Sequence, residues 1–160
     1  MPKSEVSPPP LQSSKSLESL KPGDRITLPD ISCHEAAIGT YVELFDARHP
    51  IHTDEAYARK TSFGQRIVHG PFPVAAVLAS LGEVFGETLI ALTEIGNWRF
   101  LRPIPVGAKV PAEMSFLNID RASGRVRIEV RIFDEARNIA QAGEVGLLLR
   151  RAGPKVGVKE

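Results

Sequence analysis

The stretch 71–85, PFPVAAVLASLGEVF, decides the fold because it is apolar on nearly all sides. Its large apolar side chains recur at helical spacing and its alanines form a second stripe, which predicts a helix packed inside the protein. Gly70 and Pro71 suit the entry to this helix, and Gly86 suits its exit. We therefore expect the fold to be built around this segment.

The chain after this helix is β-like in four stretches separated by turn signals. They are 89–101, 110–120, 126–133 and 140–150. One apolar helix followed by a run of antiparallel strands predicts an α+β fold. In such a fold a curved antiparallel sheet wraps around the long central helix, which covers the apolar face of the sheet.

The chain before the central helix contains shorter elements. Alternating side chains predict a strand over 25–28, and an apolar stripe at i, i+3, i+4 and i+7 predicts a helix over 35–45. A loop over 47–52 follows, since its proline disfavours helix in the preceding residue. Thr53 is then expected to cap a second helix that ends near Lys60.

The length and composition indicate one globular domain. The chain has 160 residues, of which 42% are hydrophobic and 24% are charged. We expect a domain over 17–152, a disordered Pro- and Ser-rich tail over 1–16 and a flexible C-terminal tail over 153–160.

Charge and cysteine content narrow the function classes. A formal net charge of +1 provides no long-range field for nucleic acid, so no nucleic-acid partner is expected. The single cysteine excludes an intrachain disulfide.

No segment approaches the roughly 20 apolar residues of a membrane span, and the N-terminal stretch lacks the apolar core of a signal peptide. A cytoplasmic protein without a membrane partner is expected.

Titratable side chains cluster just before the central helix. His49, His52 and His69 lie there together with Asp46 and Asp54. A helix start offers unpaired backbone amides that stabilise an oxyanion, and a nearby histidine can act as a general base near neutral pH. A zinc site built from His49, His52 and Asp54 is not expected, because Asp54 is better explained as a first-turn acid.

The string HPIHTDEAYARKTSFGQRIVHG, residues 49–70, resembles the signature of MaoC-like dehydratases and (R)-specific enoyl-CoA hydratases. The later string WRFLRPIPVGAKV, residues 98–110, is similar to the strand and turn that follow the central helix in the same family. The resemblance covers about residues 45–110 and implies a hotdog fold. The motifs occurring together in this order are far more specific for the family than any single motif.

The resemblance implies both an activity and its residues. His52 matches the catalytic histidine, and Gly70 matches the position whose backbone amide helps to hold the thioester oxygen. Such enzymes interconvert a trans-2-enoyl-CoA and an (R)-3-hydroxyacyl-CoA with no metal or redox cofactor. A homodimer or a dimer of dimers is also implied.

The sequence departs from the family pattern at the catalytic carboxylate. The family places an Asp five residues before the histidine, but that position is Ala47 here, and Asp46 lies six residues before. Either a bulge lets Asp46 act as the catalytic carboxylate, or this chain lacks the second carboxylate and works differently.

Three further residues are candidates for substrate binding. His49 stands where the family commonly has Asn, and His69 directly precedes the helix; support of the loop and of the turn are their structural alternatives. Arg102 lies on a strand expected beside the pocket, where a guanidinium could bind a coenzyme A phosphate.

Two other functions are compatible with the same fold. The first is a non-catalytic acyl-CoA-binding or structural subunit, for which Ala47 would mark a lost carboxylate. The second is an acyl-CoA thioesterase, since fold alone does not decide function. The HPIH and His-Gly elements favour the hydratase over the thioesterase.

Overall fold

The computed structural model describes residues 15–151. The predicted tails over 1–16 and 153–160 lie outside the described residues, apart from Lys15 and Ser16. The elements in chain order are a 3-10 turn (Leu17–Ser19), β1 (Arg25–Ser32), α1 (Glu35–Phe45), α2 (Pro50–Thr53), α3 (Glu55–Ala58), α4 (Pro71–Phe85), a second 3-10 turn (Gly86–Thr88), β2 (Leu89–Phe100), β3 (Lys109–Asp120), β4 (Arg125–Phe133) and β5 (Ile139–Leu149).

The five strands form one antiparallel sheet in the order β1-β3-β4-β5-β2. Strands β2 to β5 match the predicted stretches to within one residue at each end. The predicted α+β hotdog architecture, an antiparallel sheet around a long central helix, is confirmed. Strands β1 and β2 are the two edges of the sheet.

Helix α4 packs one apolar face against the sheet. The buried face recurs every four residues and consists of Pro73, Val77, Leu81 and Phe85. The Phe85 ring meets the Phe116 ring of β3 edge-on, with centroids 6.2 Å apart. The expectation that the alanine stripe is also covered is wrong for the single chain, because Ala75 and Ala79 are exposed.

No helix within residues 15–151 combines the length and the apolar character needed to cross a membrane.

The inner face of the sheet covers that helix because side chains alternate along each strand. The inward positions of β3 and β4 carry apolar side chains, namely Val110, Ala112, Met114, Phe116, Val126, Ile128, Val130 and Ile132. The outward positions of these strands carry mostly charged residues. The central strands therefore form one continuous core with α4.

Strand β1 is longer than predicted. It extends to Ser32 rather than ending at Leu28, although Pro29 lies within it. A proline removes one ladder donor and is tolerated on an edge strand or at a bulge. Both conditions hold here, since β1 is an edge and its register with β3 shifts between Leu28 and Ile31.

The predicted loop over 47–52 contains a short helix, α2. Pro50 occupies its first position, where the fixed φ of proline suits a helix and the missing amide hydrogen leaves nothing unpaired. His49 caps this turn, because its Nδ1 accepts a hydrogen bond from the backbone amide of Ile51 at 3.2 Å. The loop prediction is therefore wrong from Pro50 onward.

The cap of the following helix also differs from the prediction. Asp54, not Thr53, is its N-cap, and the Asp54 carboxylate accepts from the Tyr57 amide at 2.9 Å. Aspartate is among the strongest N-cap residues, and Thr53 is already the last residue of α2. The helix ends at Ala58, two residues before the predicted Lys60.

The packing of α4 predicts a large cost for truncating its buried face. Leu81→Ala removes a side chain that is 1% exposed and is expected to lower the free energy of unfolding by about 2 to 5 kcal/mol. Leu44→Ala is the matched control, since Leu44 is 73% exposed and its truncation should change stability by less than about 0.5 kcal/mol. Urea unfolding followed by circular dichroism measures both. Similar losses in the two variants would contradict this packing.

Candidate active site

His52 is held in place by the connector that leads into the central helix. Its Nδ1 lies 2.7 Å from the backbone oxygen of Ile67, and the Ile67 amide donates to the Ile51 carbonyl at 3.3 Å. The connector is itself fixed, since the Val68 amide donates to Ile104 at 2.7 Å. These bonds set both the position and the ring orientation of His52.

The hydrogen bond to Ile67 also decides the tautomer of His52. A carbonyl oxygen only accepts, so Nδ1 must carry the hydrogen and Nε2 of the neutral ring keeps its lone pair. Burial lowers the pKa of His52, and the neighbouring His69 and His49 lower it further, against the opposing effect of the Ile67 hydrogen bond. His52 is therefore a neutral base with Nε2 free to accept a proton.

A cavity of about 330 Å³ lies beside His52. Four of its lining residues can offer polar groups: His52, Gly70, Arg102 and Gln141. The remaining wall is mostly apolar and includes Phe63, Ile67, Val68, Phe100, Leu101 and Ile104. An apolar cavity with a few polar groups is the usual form of a small-molecule site.

Most backbone donors at the start of α4 are absent or already bonded. Pro71 and Pro73 have no amide hydrogen, and the Phe72 amide donates to the His69 carbonyl at 3.0 Å. Within residues 15–151, no hydrogen bond occupies the Gly70 amide. The expected set of unpaired amides at this helix start is thus reduced to the amide of Gly70.

Asp46 lies outside this cavity. It ends α1 in the left-handed conformation (φ 51°), its side chain is 80% exposed, and its carboxylate pairs with the Arg48 guanidinium. The bulge considered above would have to turn Asp46 toward His52, whereas its carboxylate is held in an ion pair at the surface. The catalytic role of Asp46 stays a prediction that this placement does not support.

The other two predicted histidines support His52 rather than line the cavity. The His69 ring stacks on the His52 ring with centroids 3.7 Å apart, and its Nε2–H donates to the Ala47 carbonyl at 2.9 Å. His69 is buried, and its Nδ1 has no hydrogen-bond partner among the described residues. His49 is exposed and uses its Nδ1 as a helix cap.

Arg102 lines the same cavity as His52 and Gly70, and its side chain is exposed. Its backbone amide donates to the Ala140 carbonyl at 3.0 Å, which ties the segment after β2 to β5. The structure therefore brings together three of the predicted site residues: His52, Gly70 and Arg102. Among residues 15–151, no group of three His, Cys, Asp or Glu side chains is arranged to hold a metal.

Gln141 is a cavity residue that sequence reasoning missed. It is 3% exposed, its Nε2 donates to the Gly70 carbonyl at 3.1 Å, and its Oε1 accepts from Trp98 Nε1 at 3.3 Å. The alternation along β5 contains the signal. Gln141 is separated from the buried residues Val145 and Leu147 by an even number of positions, so its side-chain amide lies on the same inward face of the strand.

Phe100 also lines the cavity, although the alternation of Trp98, Arg99 and Phe100 in the sequence predicts that Trp98 and Phe100 share a core face. A register shift between Gly96 and Arg99 interrupts that alternation. Phe100 is 58% exposed and lines the cavity, and a Cβ added to Gly70 would lie 2.8 Å from its ring. Residue 70 must therefore be glycine for the Phe100 ring to lie this close.

Arg66 braces the connector through ion pairs to two helices. Its two terminal nitrogens donate to the Glu35 carboxylate at 2.8 and 2.6 Å, and its Nε lies 3.4 Å from Glu55. The Arg66 side chain is 21% exposed and that of Glu35 is 68% exposed, so the ion pair lies at the surface. Arg66 thus ties the starts of α1 and α3 to the segment that positions His52.

Comparison with known proteins identifies one family. The profile of the family described as "MaoC like domain" matches residues 19–136. Protein MaoC from Klebsiella aerogenes is 28% identical over 101 residues, 63% of this chain and 30% of that protein. A 3-hydroxybutyryl-CoA dehydratase from Methylorubrum extorquens is 30% identical over 98 residues, 59% of this chain and 61% of that protein. The chain thus covers less than two thirds of either relative.

An (R)-specific enoyl-CoA hydratase from Aeromonas caviae is 28% identical over 110 residues, 68% of this chain and 81% of that protein. The solved (R)-hydratase of A. caviae superposes with a TM-score of 0.72 at 25% identity, covering 83% of this chain and 99% of that one. An unliganded R-hydratase from Pseudomonas aeruginosa gives a TM-score of 0.73 at 24% identity, covering 90% and 96%. These neighbours share the fold described above.

The lowered pKa of His52 predicts a pH dependence of stability. The folded pKa lies below the ordinary 6.5, so the unfolded chain binds the proton more readily and stability falls as pH drops below about 6.5. His52→Asn keeps an amide donor for Ile67 but does not titrate, so this variant should lose less stability between about pH 7 and pH 5. Urea unfolding at a series of pH values measures the difference. Equal losses in both proteins would show that His52 is not perturbed.

Proposed function

Because the chain belongs to the MaoC-like domain family, we propose that it adds water to a trans-2-enoyl-CoA to give an (R)-3-hydroxyacyl-CoA and catalyses the reverse dehydration. The names of the relatives support an enzyme of the hydratase or dehydratase class. The CoA thioester and the (R) configuration come to this chain from those names, and they are part of the proposal.

The observation that carries the proposal is that a base and a glycine with an unpaired amide line the same cavity. His52 and Gly70 both line the apolar cavity, and the tautomer of His52 leaves Nε2 as the acceptor. Water addition to an enoyl thioester needs a proton acceptor for water and a donor for the thioester oxygen. These two residues can supply both.

The proposed reaction needs no other group to balance. His52 Nε2 accepts a proton from water as the water oxygen bonds to C3 of the enoyl group. The electron pair of the double bond moves toward the thioester oxygen, which accepts a hydrogen bond from the Gly70 amide. The imidazolium then returns the proton to C2, and the lowered pKa of His52 favours that return.

The remaining predicted residues take supporting roles in this proposal. The Arg102 guanidinium is exposed beside the cavity, where it can bind a phosphate of coenzyme A. His69 stacks on His52 and fixes the plane of its ring, and His49 holds the α2 turn. Asp46 takes no part in the proposed reaction, because its carboxylate pairs with Arg48 at the surface.

We extend the proposal to a homodimer, or a dimer of dimers, formed through β2. This strand is an unpaired sheet edge and exposes Ile90, Leu92 and Ile95. An exposed apolar edge would otherwise invite uncontrolled pairing. A second copy would also approach Phe100, which ends the same strand beside the cavity.

A second candidate function is a non-catalytic acyl-CoA-binding subunit. Ala47 at the family's carboxylate position and the surface ion pair of Asp46 favour it, since no carboxylate within residues 15–151 then forms a hydrogen bond or ion pair with His52. This candidate predicts binding of the thioester without turnover. A thioesterase, the third possibility, predicts release of free thiol.

One assay separates these three functions. The protein is incubated with crotonyl-CoA while the conjugated enoyl absorbance and free thiol are followed together, and the product is resolved by chiral chromatography. We expect loss of the enoyl band without free thiol, and an (R)-3-hydroxy product. His52→Ala should lower kcat/KM at least about a hundredfold, as expected for removal of a general base.

A matched histidine outside the site serves as the control. His34 is exposed and caps α1, and His34→Asn keeps a capping acceptor, so it should retain wild-type activity. Full activity of His52→Ala would refute the proposed mechanism. Thiol release by the wild type would indicate a thioesterase instead.

The close contact between Gly70 and Phe100 predicts a coupled pair of variants. Gly70→Ala places a methyl group 2.8 Å from the Phe100 ring and should push that ring into the cavity, lowering kcat/KM about tenfold or more. Phe100→Leu removes the ring atoms that clash. The double variant should therefore be more active than Gly70→Ala alone. Additive losses in the same kinetic assay would contradict this contact.

A further inference from the structure

The buried amide of Gln141 joins the start of the central helix to two strands. Its Nε2 donates to the Gly70 carbonyl at 3.1 Å, and its Oε1 accepts from Trp98 Nε1 at 3.3 Å. Trp98 can only donate and a carbonyl can only accept, so both partners agree on the orientation of the Gln141 amide. Gln141 is 3% exposed and lines the cavity that contains His52 and Gly70.

We propose that Gln141 is a positioning residue that holds Gly70 at the start of α4 for its role as the thioester oxygen donor. The inference rests on the proposed function and adds a residue to it. A buried side-chain amide is costly unless its hydrogen bonds are made, and here both ends are bonded within the protein. The amide is thus a fixed link between β2, β5 and Gly70.

The need for such a link follows from the sequence around Gly70. Glycine has no side chain to anchor it, and the first helical turn lacks the amide hydrogens of Pro71 and Pro73. A side chain of β5 can therefore fix the backbone at Gly70 by donating a hydrogen bond to the Gly70 carbonyl. Gln141 makes that contact.

The second hydrogen bond of Gln141 fixes its own rotamer. The Trp98 ring packs against the backbone of Gly143, so closely that a Cβ added to Gly143 would lie 2.4 Å from the indole ring. In this position, Trp98 Nε1 is within hydrogen-bond distance of Gln141. Gly143 follows Gln141 by two residues on β5, so both face inward. Trp98 is therefore connected to Gly70 through Gln141.

Two substitutions at Gln141 and one at Trp98 test this role. Gln141→Met has similar length but makes neither hydrogen bond, so kcat for crotonyl-CoA hydration should fall about 10-fold to 100-fold while KM changes much less. Trp98→Phe leaves the bond to Gly70 in place and should cost less. Thermal unfolding of each variant reports whether the fold is retained.

The Gln141→Glu variant gives a readout that a purely structural role would not move. Its protonated carboxyl can donate to the Gly70 carbonyl and accept from Trp98, whereas its carboxylate form cannot donate and repels the carbonyl. The kcat of this variant relative to wild type should therefore decline as pH rises from about 5 to about 8. This profile is measured on one folded protein, so it decides the question even if Gln141→Met does not fold.

The outcomes separate this inference from the proposed function. A wild type without hydratase activity would overturn the proposed function and the positioning role together. An active wild type with Gln141→Met at wild-type kcat, or a Gln141→Glu ratio independent of pH, would overturn the positioning role alone. A loss of kcat in the Met variant and a falling Glu ratio would support it.

Discussion

The apolar stripe of helix α4 must be covered, and the concave face of the sheet is the surface that covers it. Its four buried residues, from Pro73 to Phe85, set how the helix lies against the sheet. The helix therefore begins at a fixed place, beside the end of β2 and the start of β5. The cavity opens at that place, so packing of the core also positions the candidate site.

The chemistry of the site follows from how its backbone groups are paired. The Ile67 carbonyl takes the hydrogen of His52 Nδ1, which leaves Nε2 as the acceptor, and two prolines leave Gly70 with the free amide of the helix start. Burial and the stacked ring of His69 favour the neutral form of His52. A base and a glycine amide thus line one largely apolar cavity.

The architecture could be predicted from the sequence because apolar residues recur at a regular spacing along each long helix and strand. The apolar stretch 71–85 and the four strands after it were located to within one residue. The motif around His52 and Gly70 located two cavity residues. The direction of the Asp46 side chain could not be predicted, because it depends on a left-handed residue at a helix end. Gln141 was missed because its two partners are distant in sequence, although its inward phase on β5 was visible.

A crystal structure of the protein with (R)-3-hydroxybutyryl-CoA bound would decide whether His52 and Gly70 both contact the thioester substrate. We expect the acyl group to occupy the cavity, with the thioester oxygen about 3 Å from the Gly70 nitrogen and the 3-hydroxyl oxygen about 3 Å from His52 Nε2. A thioester bound with its carbonyl remote from Gly70, or with its hydroxyl out of reach of His52, would contradict this expectation.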